Sequence, residues 1–315
     1  MLKLIQNEWM KLWNKKTTWV MAILLVVLLV GIFGITKWVE TTNDYEMEKW
    51  ETVVQSELDY TKEQLAIPEL DESTREHYEE TVKVLEYRLA NSVKPLDLEG
   101  TSRETMLMQS GSIASVVVLL TVIAAAGIVA SEFSQGTIKM LLSRPVKRWK
   151  ILTSKYIVVI LFGILLMFIG FVVSIASAYI FFASSGGQAL EWNGQQIVEV
   201  SVWGRGLYIL LLSSGSVIIT TTFAFMIGSV FRSSSLAIGL SLFIYFMGST
   251  VVMFLAKYEI VKYIVFTHMD LTQHTSDFQM VEGITMQFSL TVLAVYFMIF
   301  LVISYTVFNR RDITA

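Results

Sequence analysis

The chain has 315 residues, of which 54% are hydrophobic and only 16% charged, with a formal net charge of −3. A soluble globular chain is nearer a quarter charged, so this composition is that of an integral membrane protein. The absence of cysteine excludes disulfides, cysteine-ligated zinc, iron–sulfur clusters and thiol nucleophiles.

Residues 1–17 predict an amphipathic helix lying in the membrane interface. Leu2, Ile5, Trp9, Leu12 and Trp13 recur at helical spacing, and Lys3, Asn7, Lys11 and Lys15 face away from them. Trp and Lys on opposite faces suit the headgroup layer. The apolar run that follows, 18–39, lacks a small-x-small cleavage site and predicts an uncleaved first span.

Residues 40–108 are the one sizeable polar block, with 18 acidic and 7 basic residues. Met47, Trp50, Val54, Leu58, Thr61 and Leu65 follow a roughly heptad spacing. After Pro68, Tyr78, Val82, Leu85 and Leu89 do the same. The pattern predicts an antiparallel helical hairpin packed along these seams. Its acidic faces read as solvated surface, with capture of a cationic substrate as the alternative.

Residues 109–315 hold five more apolar runs, at about 109–130, 156–183, 206–231, 236–256 and 288–308. A helix needs about 20 apolar residues to cross the hydrocarbon core. The runs do not alternate, which points to helices rather than a barrel. The expected fold is therefore all-α, with six transmembrane helices. Between the last two runs, 258–287 contains the short apolar stretch Ile260 to Phe266 and predicts a re-entrant or interfacial segment.

Orientation follows from the short loops. The N-terminal stretch, the 131–155 segment, Arg232 and the pair Arg310 and Arg311 carry 13 basic residues against Glu8, Glu132 and Asp312, while the opposite side holds 11 basic and 24 acidic residues. The positive-inside rule then predicts cytosolic termini and an extracellular hairpin.

Segment 131–155, SEFSQGTIKMLLSRPVKRWKILTSK, joins the second and third runs. Ser131 reads as a helix cap with Glu132 at the positive end of the dipole. Phe133, Ile138, Leu141 and Leu142 supply an apolar face, and Pro145 ends the helix near Arg144. Lys147, Arg148 and Lys150 then meet anionic headgroups. On these residues alone, a membrane-surface loop and a docking helix for a cytosolic partner stand as equals.

Catalytic and cofactor motifs are missing. The sequence contains no G-x-x-x-x-G-K-[ST] phosphate loop, no G-x-S-x-G, no H-E-x-x-H and no G-x-G-x-x-G. No catalytic residue, metal site or cofactor is assigned. His268 and His274 lie near Asp270 and Asp277, but the spacing matches no common ligand pattern. The interiors of the last five spans carry no Asp, Glu, Lys, Arg or His, which weighs against ion-coupled carriers and intramembrane enzymes. Small and hydroxyl residues recur instead: Ala124 to Gly127, then Gly170, Ser174 and Ala178, then Ser213 to Thr222. They predict close helix packing, with a weakly polar path or dimer seam as the alternative.

Residues 132–148, EFSQGTIKMLLSRPVKR, resemble the signature of type-two ABC exporter permeases, the membrane subunits of ATP-binding-cassette exporters. The Asn7-Glu8-Trp9-x-Lys11 start, the large first outer loop and Asp270-Leu271 extend the resemblance along the chain. It implies that 131–145 is a coupling helix seated on a separate ABC ATPase subunit. The ATPase-coupling residues would be Glu132, Phe133, Gly136, Thr137, Leu141, Leu142, Pro145 and Arg148. A second permease subunit and membrane lipid would be the further partners, with no nucleic acid. The expected function is export of a drug, antimicrobial peptide, lipid or ion across a bacterial cell membrane, without an ATPase site of its own. A membrane-anchored sensor or binding protein acting through the hairpin is the competing expectation.

Overall fold

The structure is a computed structural model. It describes residues 1–42, 49–68, 70, 72–96, 101–138, 140, 145–275, 281 and 283–310. Six helices are long and apolar enough to cross a membrane: α2 (Lys16–Thr42), α6 (Ala114–Ser134), α7 (Arg148–Phe181), α8 (Val202–Val230), α9 (Ser234–Leu255) and α10 (Met286–Arg310). The protein is all-α in class and a multi-pass membrane protein. Other helices are α1 (Leu2–Trp13), α3 (Trp50–Leu65), α4 (Glu72–Asn91) and α5 (Arg103–Met108), and Ile138 and Met140, beyond α6, are helical as well.

The chain divides into two compact units. The first comprises Met1–Val27, Ser112–Gly170 and Leu210–Ala315. In it α6 packs along α9 and approaches α8 closely at Gly228. Ala125, Ala126, Ala224 and Phe225 have no exposed surface, because small residues let two backbones approach closely. A Cβ on Gly228 would collide with the carbonyl oxygen of Ala126, whereas one on Gly239 would meet nothing within 4 Å. Several hydroxyls of α8 are spent inside this packing, while Thr221 Oγ1 is buried without a hydrogen-bond partner among the described residues. Thr220 donates to the Ser216 carbonyl at 2.7 Å, Thr222 to that of Ile218 at 2.7 Å, and Tyr156 and Thr222 share a hydrogen bond of 2.8 Å. Ser213, Ser216, Thr220, Thr221 and Thr222 are all buried, so they line no open path within the subunit.

The stretch before α10 differs from a re-entrant helix. It folds as three 3-10 turns, Glu259–Tyr263, Val265–Thr267 and Leu271–Thr275. Leu271 accordingly donates its N–H to Ser216 Oγ at 3.1 Å. His268 is fully buried, with Nδ1 2.8 Å from Ser289 Oγ and Nε2 2.8 Å from the Lys262 carbonyl. Both ring nitrogens are thus engaged, and burial holds the imidazole below its ordinary pKa. His274 Nε2 reaches the same Ser289 hydroxyl at 2.9 Å. Asp277 lies outside the described residues.

The second unit comprises Leu28–Gly111 and Phe171–Ile209. Helices α3 and α4 pack through Val54, Leu58 and Leu85, with Trp50, Val82 and Leu89 around them, and Lys62 pairs with Glu86 across them at 2.7 Å. Met47 lies outside the described residues. A short antiparallel ribbon, Leu190–Trp192 with Ile197–Glu199, departs from the all-helical expectation. Asn193 Oδ1 closes its turn by accepting from the N–H groups of Gln195 and Gln196, and Gly194 takes φ +90°. The Asn-Gly pair is the sequence signal for that turn. The ribbon rests on α4: Lys83 lies 4.6 Å from the Trp192 ring centre, and Arg88 donates to the Gln188 carbonyl at 3.0 Å. Phe33, Leu107, Ala178 and Phe182 form the apolar base of this unit.

Candidate functional site: a buried lysine between two carboxylates

Helix α6 runs through Ser131 and ends at Ser134. Ser131 is therefore inside a helix, not at the start of one, and the expected coupling helix over 131–145 is corrected in its first residues. Glu132 falls in the last turn of α6, at the negative end of the dipole, where a carboxylate is unfavourable unless a cation meets it. Lys155 Nζ meets it at 2.7 Å, and Lys11 lies 3.6 Å away.

Lys155 is the centre of the site. It occupies the third turn of α7 on the stripe of Ile151, Leu152, Val158 and Phe162, all buried, and is itself 2% exposed. Its second partner is Glu8 of α1, also at 2.7 Å. Glu8 in turn faces Lys11 at 3.4 Å. One ammonium thus joins α1, α6 and α7 at a single point. Such a cluster demands every partner, because a buried charge left alone costs several kcal/mol while a complete pair roughly balances its desolvation. Lys155 is therefore not one of the surface cations to which the loop count assigned it.

Aromatic contacts brace the same corner. Trp13 packs edge-on against Phe162 with ring centres 6.2 Å apart, and against Trp19 at 5.1 Å. Thr18 donates to the Leu12 carbonyl at 2.5 Å, closing the bend between α1 and α2.

The predicted coupling residues divide into two groups. Glu132, Phe133, Thr137 and Arg148 make contacts within the chain. Thr137 Oγ1 donates to the Glu132 carboxylate, and Phe133 packs edge-on against Phe308 at 6.3 Å. Arg148 donates to the Asn309 carbonyl at 3.1 Å, where the C-terminus of α10 favours a cation. Gly136 and Pro145 are exposed, as is Met140 at 72%. Leu141, Leu142 and Arg144 lie outside the described residues.

Gly136 has φ +71°, and a Cβ there would meet nothing within 4 Å. It sits just past the α6 C-cap, Gln135, where a left-handed residue ends a helix. Backbone conformation, not a crowded neighbour, selects glycine. Gly136→Ala should cost about 1–2 kcal/mol and Gly136→Val more, while Gly136→Asn should be mildest because Asn tolerates this region. Melting of the detergent-purified variants checks the order; equal values for all of them would remove the conformational demand.

Two residues of the site, Glu8 and Lys155, were not among the expected functional positions. Each nonetheless carries a signal. Glu8 is the single acidic residue before Glu40 and lies between Ile5 and Leu12 on the apolar stripe of α1. Lys155 interrupts the stripe Ile151, Val158, Val159 and Phe162. A lone charge at apolar helical spacing, once in each of two segments, points to a buried pair.

Comparison with known proteins bears on the segment directly. The chain is 37% identical over 318 aligned residues, spanning 99% of both chains, to the "Uncharacterized protein YhcI" of Bacillus subtilis (strain 168). It is 29% identical over 200 residues, 62% of this chain and 76% of the relative, to the "Uncharacterized membrane protein YdbK" of the same organism. A family model described as "Protein of unknown function (DUF2705)" matches residues 83–314. That match includes the 132–148 segment on which the resemblance to type-two ABC exporter permeases rested, so membership in that permease family is corrected. The chain belongs to the DUF2705 family.

Proposed function

We propose that the chain is the membrane-spanning subunit of a two-component export system, moved by a separate ATP-hydrolysing subunit that docks on the segment joining α6 and α7. One observation carries this reading: Lys155 binds Glu8 and Glu132 at 2.7 Å each, so α1, α6 and α7 share one fixed point beside the end of α6. A force applied at the exposed residues Gly136, Thr137 and Met140 would reach two spans and the N-terminal helix together. The absence of a phosphate loop in the sequence requires that the energy of ATP come from another chain. Charges confined to the span ends weigh against ion coupling as the alternative source.

In this reading the basic ends of the spans and both termini face the cytosol of a bacterial cell membrane. The α3–α4 hairpin then lies outside, and a second copy or a paralogue completes the translocation path. No catalytic residue or cofactor of the chain's own is invoked.

The test is purification of the intact tagged chain from its native membranes. An ATPase should co-purify, the isolated chain should hydrolyse no ATP, and Met140→Asp should reduce the association at least tenfold without lowering the level of chain in the membrane. Absence of any ATPase from the preparation, or full retention with Met140→Asp, would remove the docking reading. The competing sensor reading requires function to survive in cells from which every co-purifying ATPase is deleted.

A further inference from the structure

A cavity of about 450 Å³ opens against the buried ion cluster, between the end of α1, the end of α6 and the first turns of α7. Lys11, Lys15 and Lys155 line it together with Glu8 and Glu132. Both carboxylates are held by Lys155 at 2.7 Å. Lys11 reaches them only at 3.4 and 3.6 Å and is 43% exposed. Lys15 lines the cavity and forms no salt bridge among the described residues. The cavity thus presents two cations that are weakly matched, plus neutral donors from Asn14, Gln135 and Thr137 at its rim.

We propose that this cavity binds the phosphate of an anionic lipid headgroup, with Lys15 and Lys11 as its cationic contacts. Charge selects an anion, because three lysines face two glutamates that are already engaged. The neutral rim donors and the volume accommodate a phosphodiester with its glycerol. Position selects a lipid over a soluble anion. The cavity lies at the charged ends of two spans, and α1 carries Trp9 and Trp13, with Trp19 at the start of α2 edge-on to Trp13, residues that favour headgroup depth. Leu2 is 82% exposed and Trp19 57% exposed, which is apolar surface that a bilayer interface would cover. Crowding agrees with an anion as the missing neighbour: burial and the nearby Lys155 charge lower the Lys15 pKa, and Glu132 and Glu8 only partly oppose them. A bound phosphate would sit where that positive charge concentrates. The inference holds whether or not an ATPase docks nearby, since it requires only that α1 lie at a membrane surface.

The experiment uses the full chain, delipidated in a neutral detergent, with melting followed as lipid is added. Phosphatidylglycerol should stabilise the wild type in a saturable way, and phosphatidylcholine should not. Lys15→Gln should weaken the apparent affinity for phosphatidylglycerol at least tenfold, and Lys11→Gln should weaken it less. Lys3→Gln, on α1 with Lys11 but outside the cavity, should leave the affinity unchanged and so separates a site from general surface charge. Inorganic phosphate at the same concentration should have no effect. Equal stabilisation by phosphate alone would overturn the lipid assignment in favour of a free-anion site. Equal effects of the two lipids, or wild-type affinity in Lys15→Gln, would overturn the site itself.

Discussion

Lys155→Met should be the most damaging single substitution at the charged ends of the spans. Methionine is unbranched like lysine, one atom shorter, and suits the apolar stripe around it, so packing alone predicts little change. Electrostatics predicts the opposite. Glu8 and Glu132 both lie 2.7 Å from Lys155 Nζ and hence close to each other, and Glu8 is 5% exposed. Without the ammonium, only Lys11 remains near them, at 3.4 and 3.6 Å. Breaking a buried pair by removing one partner costs about 3–5 kcal/mol, and here one removal strands two carboxylates. Melting of the purified protein should fall by several degrees, with reduced yield from membranes. Glu8→Gln should cost less, because the pair of Glu132 with Lys155 survives. The combination Glu8→Gln, Glu132→Gln, Lys155→Met should regain most of the lost stability, since a neutral replacement of a complete buried cluster is often harmless. If export depends on the shared fixed point, the triple variant should melt near wild type and still fail to export. Wild-type melting of Lys155→Met alone would show that the three helices do not rely on the cluster.

The spans were legible in the sequence because hydrocarbon imposes a length and forbids unpaired backbone, and both constraints are written in composition. The expected runs 156–183 and 288–308 became α7 over Arg148–Phe181 and α10 over Met286–Arg310. The error lay at the N-terminal end of α7. Counting Lys155 as the last residue of a basic loop started the span at 156, eight residues after the helix begins at Arg148. The cluster was illegible for the same reason. Its members lie 147 and 23 residues apart in the chain, and no local pattern says which of several acidic residues meets which lysine. Gly136 was misread for a different cause. A glycine within a run of helix formers looks like a helix interior, and only its φ of +71° shows a stop. The ribbon at Leu190–Trp192 was missed although Asn193-Gly194 marks its turn, because three-residue strands fall below the length at which alternation is readable.

Gly228→Ala carries the second large expected effect, and its sign rests on a contest between two magnitudes. Alanine in place of glycine favours a helix by up to about 1 kcal/mol, so an unobstructed site should gain. Gly228 is obstructed. An added Cβ would collide with the carbonyl oxygen of Ala126, a backbone atom of α6 that cannot rotate away as a side chain would. The two helices would have to separate along a seam where Ala125, Ala126, Ala224 and Phe225 are wholly buried. Overpacking of this kind costs about 1–3 kcal/mol and outweighs the propensity gain, so Gly228→Ala should melt lower than wild type. Gly228→Leu should fail to accumulate in the membrane. Gly239→Ala is the internal control. It makes the same chemical change within α9, with nothing within 4 Å of the new atom, and should melt at or slightly above the wild-type temperature. If both alanine variants rise together, the close approach of α6 and α8 is not what glycine serves at 228. If only Gly228→Ala falls, that approach sets the spacing of α6 and α8.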